Sequence, residues 1–154
     1  MTIVRYFWLP LLLALGLITY RTATRTSEQK QSNDEWQTEF AMQKAELSAT
    51  GRNPYFILEP GYQLIFEDGK ERLMITVLDE TKMVDGVETR VVEERETKDG
   101  KLVEVSRNYF SISKRDNSVF YFGEDVDIYK NDKLVNHEGA WLAGVNGAQF
   151  GLMM

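Results

Sequence analysis

Residues 62–113 read YQLIFEDGKERLMITVLDETKMVDGVETRVVEERETKDGKLVEVSRNYFSIS, and this stretch decides the fold. Runs rich in Val, Ile, Leu, Thr, Tyr and Phe alternate with Asp68-Gly69, Asp85-Gly86 and Asp99-Gly100. An Asp-Gly pair suits the positive φ angles of a two-residue hairpin turn. Strands joined by so short a turn are antiparallel neighbours, because a parallel pair needs a long crossover. The expected strands are Tyr62–Phe66, Arg72–Leu78, Val87–Glu96, Leu102–Ser113, Val119–Phe122 and Val126–Lys130. Lys114-Arg115-Asp116-Asn117 and Asn131-Asp132-Lys133 supply further polar turns. The fold class is therefore mainly β: an antiparallel up-and-down meander over residues 53–154, forming a curved sheet or half-barrel.

Side-chain alternation assigns faces within that sheet. Tyr62, Leu64 and Phe66 share one face of their strand, and Leu73, Ile75 and Val77 share one face of the next. Arg72–Leu78 is apolar on both faces, which places it centrally or beneath a cover. Val87–Glu96 carries Arg90, Glu93, Glu94, Arg95 and Glu96 around Val91 and Val92, the pattern of a strand with one solvated face. Such a charged strand blunts edge-to-edge aggregation. The tail from Glu138 to Met154 has four glycines among Trp141, Leu142, Val145 and Phe150, and resists both helix and strand.

Upstream of the sheet the texture changes. Tyr6 to Tyr20 is an uncharged, mostly apolar run of 15 residues between Arg5 and Arg21. As a helix it reaches about 22 Å, short of the ~30 Å hydrocarbon core. Residues 1–20 thus read as a signal peptide or as a membrane anchor whose arginines snorkel. Either way the expected location is extracytoplasmic, periplasmic or secreted, with the membrane as a partner through residues 6–20. Residues 21–34 are a polar tether. Over 35–50 an amphipathic helix is expected: Ser32 and Glu35 have capping-box spacing, and Trp36, Phe40 and Leu47 fall near one face before Gly51.

Composition removes several functions. The chain has 154 residues and a net charge of −6, and everything after Arg25 holds 15 Lys and Arg against 24 Asp and Glu. Such a body repels phosphate backbones, so nucleic acid is not an expected partner. With no cysteine and a single histidine, His137, neither a thiolate zinc site nor a cysteine nucleophile can be built. No cofactor is expected: there is no P-loop and no GxGxxG between strand and helix.

Several short pieces resemble a family of exported bacterial β-rich proteins of unknown function. They are Asn53-Pro54-Tyr55-Phe56 with Leu58-Glu59-Pro60-Gly61-Tyr62, then Val77 to Lys82, then Tyr121-Phe122-Gly123-Glu124-Asp125. Glu138-Gly139-Ala140-Trp141 and Ala143-Gly144-Val145-Asn146-Gly147-Ala148 complete the set, which spans residues 53–150. The resemblance implies export and a β meander, and relatives that continue past the Gly-rich segment. It supplies no reaction, ligand or catalytic residue.

Among candidate sites, the aromatics on consecutive strands lead. Tyr109, Phe110, Phe120, Tyr121, Phe122 and Tyr129 either build a core or line an apolar cleft. The ligand-binding candidates are Tyr109, Phe120, Tyr121, Phe122 and Tyr129. Glu124, Asp125 and Asp127 are the densest carboxylate run, a weak match to a calcium loop because no full ligand set accompanies them. No nucleophile elbow surrounds any serine that could work with His137. The expected function is a non-catalytic binding or interaction module of the cell envelope, taking an apolar ligand or an envelope protein. A structural accessory protein and a small carboxylate-dependent hydrolase are the alternatives.

Overall fold

The computed structural model describes residues 42–154. The expected targeting segment and tether, and residues 35–41 of the expected 35–50 helix, lie outside the described residues. Among the described residues no helix is long and apolar enough to cross a membrane.

The hairpins form where the turn residues dictate. β4 (Gln63–Asp68), β5 (Glu71–Val84), β6 (Val87–Lys98), β7 (Lys101–Ser113) and β8 (Val119–Lys130) follow one another as antiparallel neighbours. Asp85-Gly86 and Asp99-Gly100 take positive φ at both positions, as a type I′ turn requires. Asn131-Asp132 does the same and leads into β9 (Lys133–Asn136). The first turn lies one residue later than Asp68-Gly69 predicts. Asp68 pairs with Glu71, so the loop is Gly69-Lys70 with positive φ at Gly69 alone, the pattern of a II′ turn.

The short elements add to this frame. β1 (Leu47–Ser48), β2 (Gly51–Arg52) and β3 (Ile57–Leu58) precede β4, and β10 (Trp141–Leu142) and β11 (Gly151–Leu152) lie in the tail. The main sheet runs β10-β8-β7-β6-β5-β4, with β1 on β7 and with β9 and β11 on β8. It is an open meander, and β2 and β3 pair separately. One edge of the meander is covered by the chain's own short strands, while among the described residues no strand pairs with the outer edge of β4.

Four expectations need correction. Residues 42–50 are not α-helical: they hold one 3₁₀ turn, Lys44–Glu46, and then β1. Leu47 pairs with Ser113 and is buried, so tertiary pairing outweighs a thin helical stripe. The two strands expected over 119–130 are one strand. Tyr109 faces both Phe122 and Gly123 in a bulge that bends β8 without ending it. The Gly-rich tail contributes β10 and β11 to the sheet, because β8 offers an edge for it to pair with.

The fourth correction concerns Val87–Glu96, which lacks a solvated face over its first half. Thr89, Arg90, Val91 and Val92 are all buried. Arg90 is buried because it has backbone to satisfy. β5 bulges between Val77 and Thr81, freeing carbonyls, and the guanidinium lies 3.4 Å from both Leu78 O and Glu80 O. It also donates to Ala49 O at 2.9 Å and to Thr50 Oγ1 at 2.8 Å, tying the start of the domain to the sheet.

Residues paired in register share a face, so the sheet has two cores. One gathers Leu47, Val84, Val87, Val91, Tyr109, Phe120 and Phe122 with Ala143 and Phe150 from the tail. The other gathers Val77, Val92, Phe110, Ile112 and Val119 beneath Phe56, Leu58 and Tyr62. Residues 53–62 thus form a cover over this second face.

Candidate functional site

The cover is built from local chemistry. Asn53 Oδ1 accepts from the backbone N–H of Tyr55 at 2.9 Å and of Phe56 at 2.8 Å, the turn that an Asn before Pro favours. Asn53 Nδ2 donates to Asn117 O at 3.1 Å, pinning the turn to the β7–β8 connection. At the other end Gly61 N donates to Val77 O and Val77 N to Tyr62 O, at 2.8 and 2.9 Å. Arg52 and Glu59 form an ion pair along the outer surface.

Between this cover and the sheet lies a cavity of about 200 Å³. Its walls include Phe56, Tyr62, Ile75, Val92 and Phe110, and one charged side chain, Glu94, lines it. An aromatic row crosses the same face. Ring centroids are 5.0 Å apart for Phe56 and Phe110, 4.8 Å for Phe110 and Tyr121, and 5.3 Å for Tyr121 and Trp141. The tilted, stacked and edge-on geometries are those that ring quadrupoles favour.

Buried Asn108 donates to Ser106 Oγ at 3.2 Å and accepts from the Tyr121 hydroxyl at 2.7 Å. Burial, with the charge of Glu124 beside it, raises the Tyr121 pKa. Burial also raises the Glu94 pKa, and the negative charges of Glu124 and Glu104 raise it further. Glu104 is raised by burial and then by Glu96 and Glu124. Among the described residues no hydrogen bond or ion pair reaches the Glu94 carboxylate, so it faces the cavity uncompensated.

The opposite face carries a polar recess lined by Arg107, Asp125, Asp127 and His137. Asp125 accepts from Lys82 at 2.8 Å and from the Tyr109 hydroxyl at 2.5 Å. Burial works to raise its pKa, but the Lys82 and Tyr109 hydrogen bonds outweigh that and hold it below the usual carboxylate range. His137 Nδ1 lies 2.9 Å from Asp127 Oδ1 and 2.8 Å from Val126 O, so this nitrogen carries the proton and donates. No serine, threonine or cysteine lines the recess among the described residues, so the oriented imidazole has no side-chain nucleophile beside it.

The sequence-derived candidates separate across these faces. Tyr109, Phe120 and Phe122 lie in the core opposite the cavity, while Tyr121 belongs to the aromatic row. Tyr129 is half-buried near the end of β8, paired with Leu134. Glu124 shares the cavity's face, whereas Asp125 and Asp127 share the other with Arg107. Among the described residues no three acidic or imidazole groups gather as a metal ligand set. Of the cavity's own residues only Phe110 stands among the candidate aromatics, and Glu94 is not a candidate. The one signal for them is indirect: Phe56, Tyr121 and Trp141, from three separate short motifs, meet in a single row. Comparison with family models, with curated proteins and with solved structures finds no match for the chain.

Proposed function

We propose that the chain is an exported or membrane-anchored, non-catalytic binding module of a bacterial cell envelope, receiving an apolar ligand in the cavity under residues 53–62. One observation carries the reading: a cavity of about 200 Å³ that is walled by apolar side chains and holds one uncompensated carboxylate. A concave, mostly apolar space with few polar groups is the general form of a small-molecule site. The apolar run Tyr6 to Tyr20 supports export. The resemblance to exported β-rich proteins supports it too, since its Asn53–Tyr62 motif is the cover. Hydrolysis has less support, because His137 has no side-chain nucleophile beside it and the carboxylates of the polar recess are engaged by Lys82, Arg107 and Tyr109.

The test is native mass spectrometry of the full-length chain recovered from its own envelope fraction. A retained small molecule is expected, and it should be lost when Ile75→Phe adds bulk to the cavity wall. A ligand-free mass from folded protein in every preparation would overturn the proposal.

A further inference from the structure

The cavity's electrostatics narrow its ligand. Glu94 pairs in register with Ile75 on β5 and with Ser106 on β7, neither of which is charged. The charges that act on it are those of Glu104 and Glu124, both of its own sign. Arg95 and Arg107 serve the other face, where both pair with Glu93 and Arg107 also with Asp127. Burying a carboxylate without a partner is unfavourable, and an apolar ligand entering the cavity would strip away the water that still solvates it. A neutral ligand therefore binds against that cost and an anion against added repulsion. A cation reverses both effects. The rings of Phe56, Tyr62 and Phe110 around the cavity add faces that attract an ammonium group.

We infer that the cavity takes an apolar cation, a hydrocarbon amine whose ammonium group sits against Glu94 while its chain lies among Phe56, Tyr62, Ile75 and Phe110. This inference rests on the binding reading above and adds the ligand's charge to it. Among the described residues, the other titratable groups on this face include Tyr55, Tyr62, Tyr121, Glu96, Glu104 and Glu124, with Lys98 held by Glu71 at the far turn and Arg90 taken up by Asp79, Thr50 and the carbonyls of Ala49, Leu78 and Glu80.

The experiment is a titration of the full-length chain with hexylammonium, 1-hexanol and hexanoate, three probes of matched chain and different charge. The methyl NMR signals of Ile75, Val77 and Val92 report on the cavity. Hexylammonium should bind about tenfold more tightly than hexanol, the worth of one hydrogen bond to a charged group, and hexanoate more weakly than either. In Glu94→Gln the amine and the alcohol should bind alike. Equal binding of amine and alcohol to the wild-type chain, or a preference that survives Glu94→Gln, would overturn the inference and leave the cavity as a binding site. If none of the three probes moves the methyl signals, the binding reading falls and this inference falls with it.

Discussion

Gly123→Ala tests how the tail is locked to the sheet. Gly123 sits in the β8 bulge at φ +125°, a backbone conformation that a side chain opposes. A Cβ built there would stand 2.2 Å from Trp141 O and 2.8 Å from Leu142 Cα, both backbone atoms of β10. Real Cβ contacts essentially never fall below 3.0 Å, so β10 must retreat by at least about 0.8 Å. That retreat breaks its pairing with Gly123 and Glu124 and pulls Trp141 away from Tyr121. Strained φ and overpacking each cost about 1–3 kcal/mol, so the variant should lose about 2–5 kcal/mol. A domain of ordinary stability would lose a large part of its margin. The assay is equilibrium urea unfolding by circular dichroism, with Gly100→Ala as the reference. Gly100 has positive φ but nothing within 4 Å of its Cβ position, so it isolates backbone strain from close approach. If Gly123→Ala costs no more than Gly100→Ala, the proposed lock between β10 and the bulge is refuted.

Three further outcomes follow from the same geometry. Arg90→Ala should lower stability by about 2–4 kcal/mol in urea melts, because it strips charged hydrogen bonds from the Ala49 and bulge carbonyls. Phe110→Ala should cost about 3–5 kcal/mol by the same assay, since Phe110 is 4% exposed and packed between Phe56 and Tyr121. Glu94→Gln should raise the melting temperature at neutral pH. The folded state holds the Glu94 proton to higher pH than the unfolded chain does, so wild-type stability falls as pH rises from the ordinary carboxylate range through the raised pKa. Gln has no such loss, and melting curves of the two proteins should draw together below pH ~4.

Where the sequence was legible, the deciding chemistry was local. Asp85-Gly86 and Asp99-Gly100 carry their turn type in two residues, and the hairpins on either side follow from it. The single strand over 119–130 was hidden because its bulge depends on β10, some twenty residues away, pressing its backbone against Gly123. The burial of Arg90 was hidden for a similar reason. Its charge reads as solvated until Ala49, Thr50 and the β5 bulge bring it four hydrogen-bond acceptors and the Asp79 carboxylate. Leu47 was assigned to a helix because its partners, Ser113 and Phe120's core, lie more than sixty residues downstream. The candidate cavity was the least legible feature. Alternation places Glu94 on the same face as Val92, yet only the folded cover of residues 53–62 turns that face into a cleft.

The central claim is that this cleft, and not the opposite face, holds an apolar ligand. The most direct measurement is a set of intermolecular nuclear Overhauser effects between hexylammonium protons and the side chains of the full-length chain. Contacts to the Ile75 and Val92 methyls and to the Phe110 ring are predicted. Contacts confined to the opposite face, around His137 or Arg107, or no contacts at saturating probe, would contradict it.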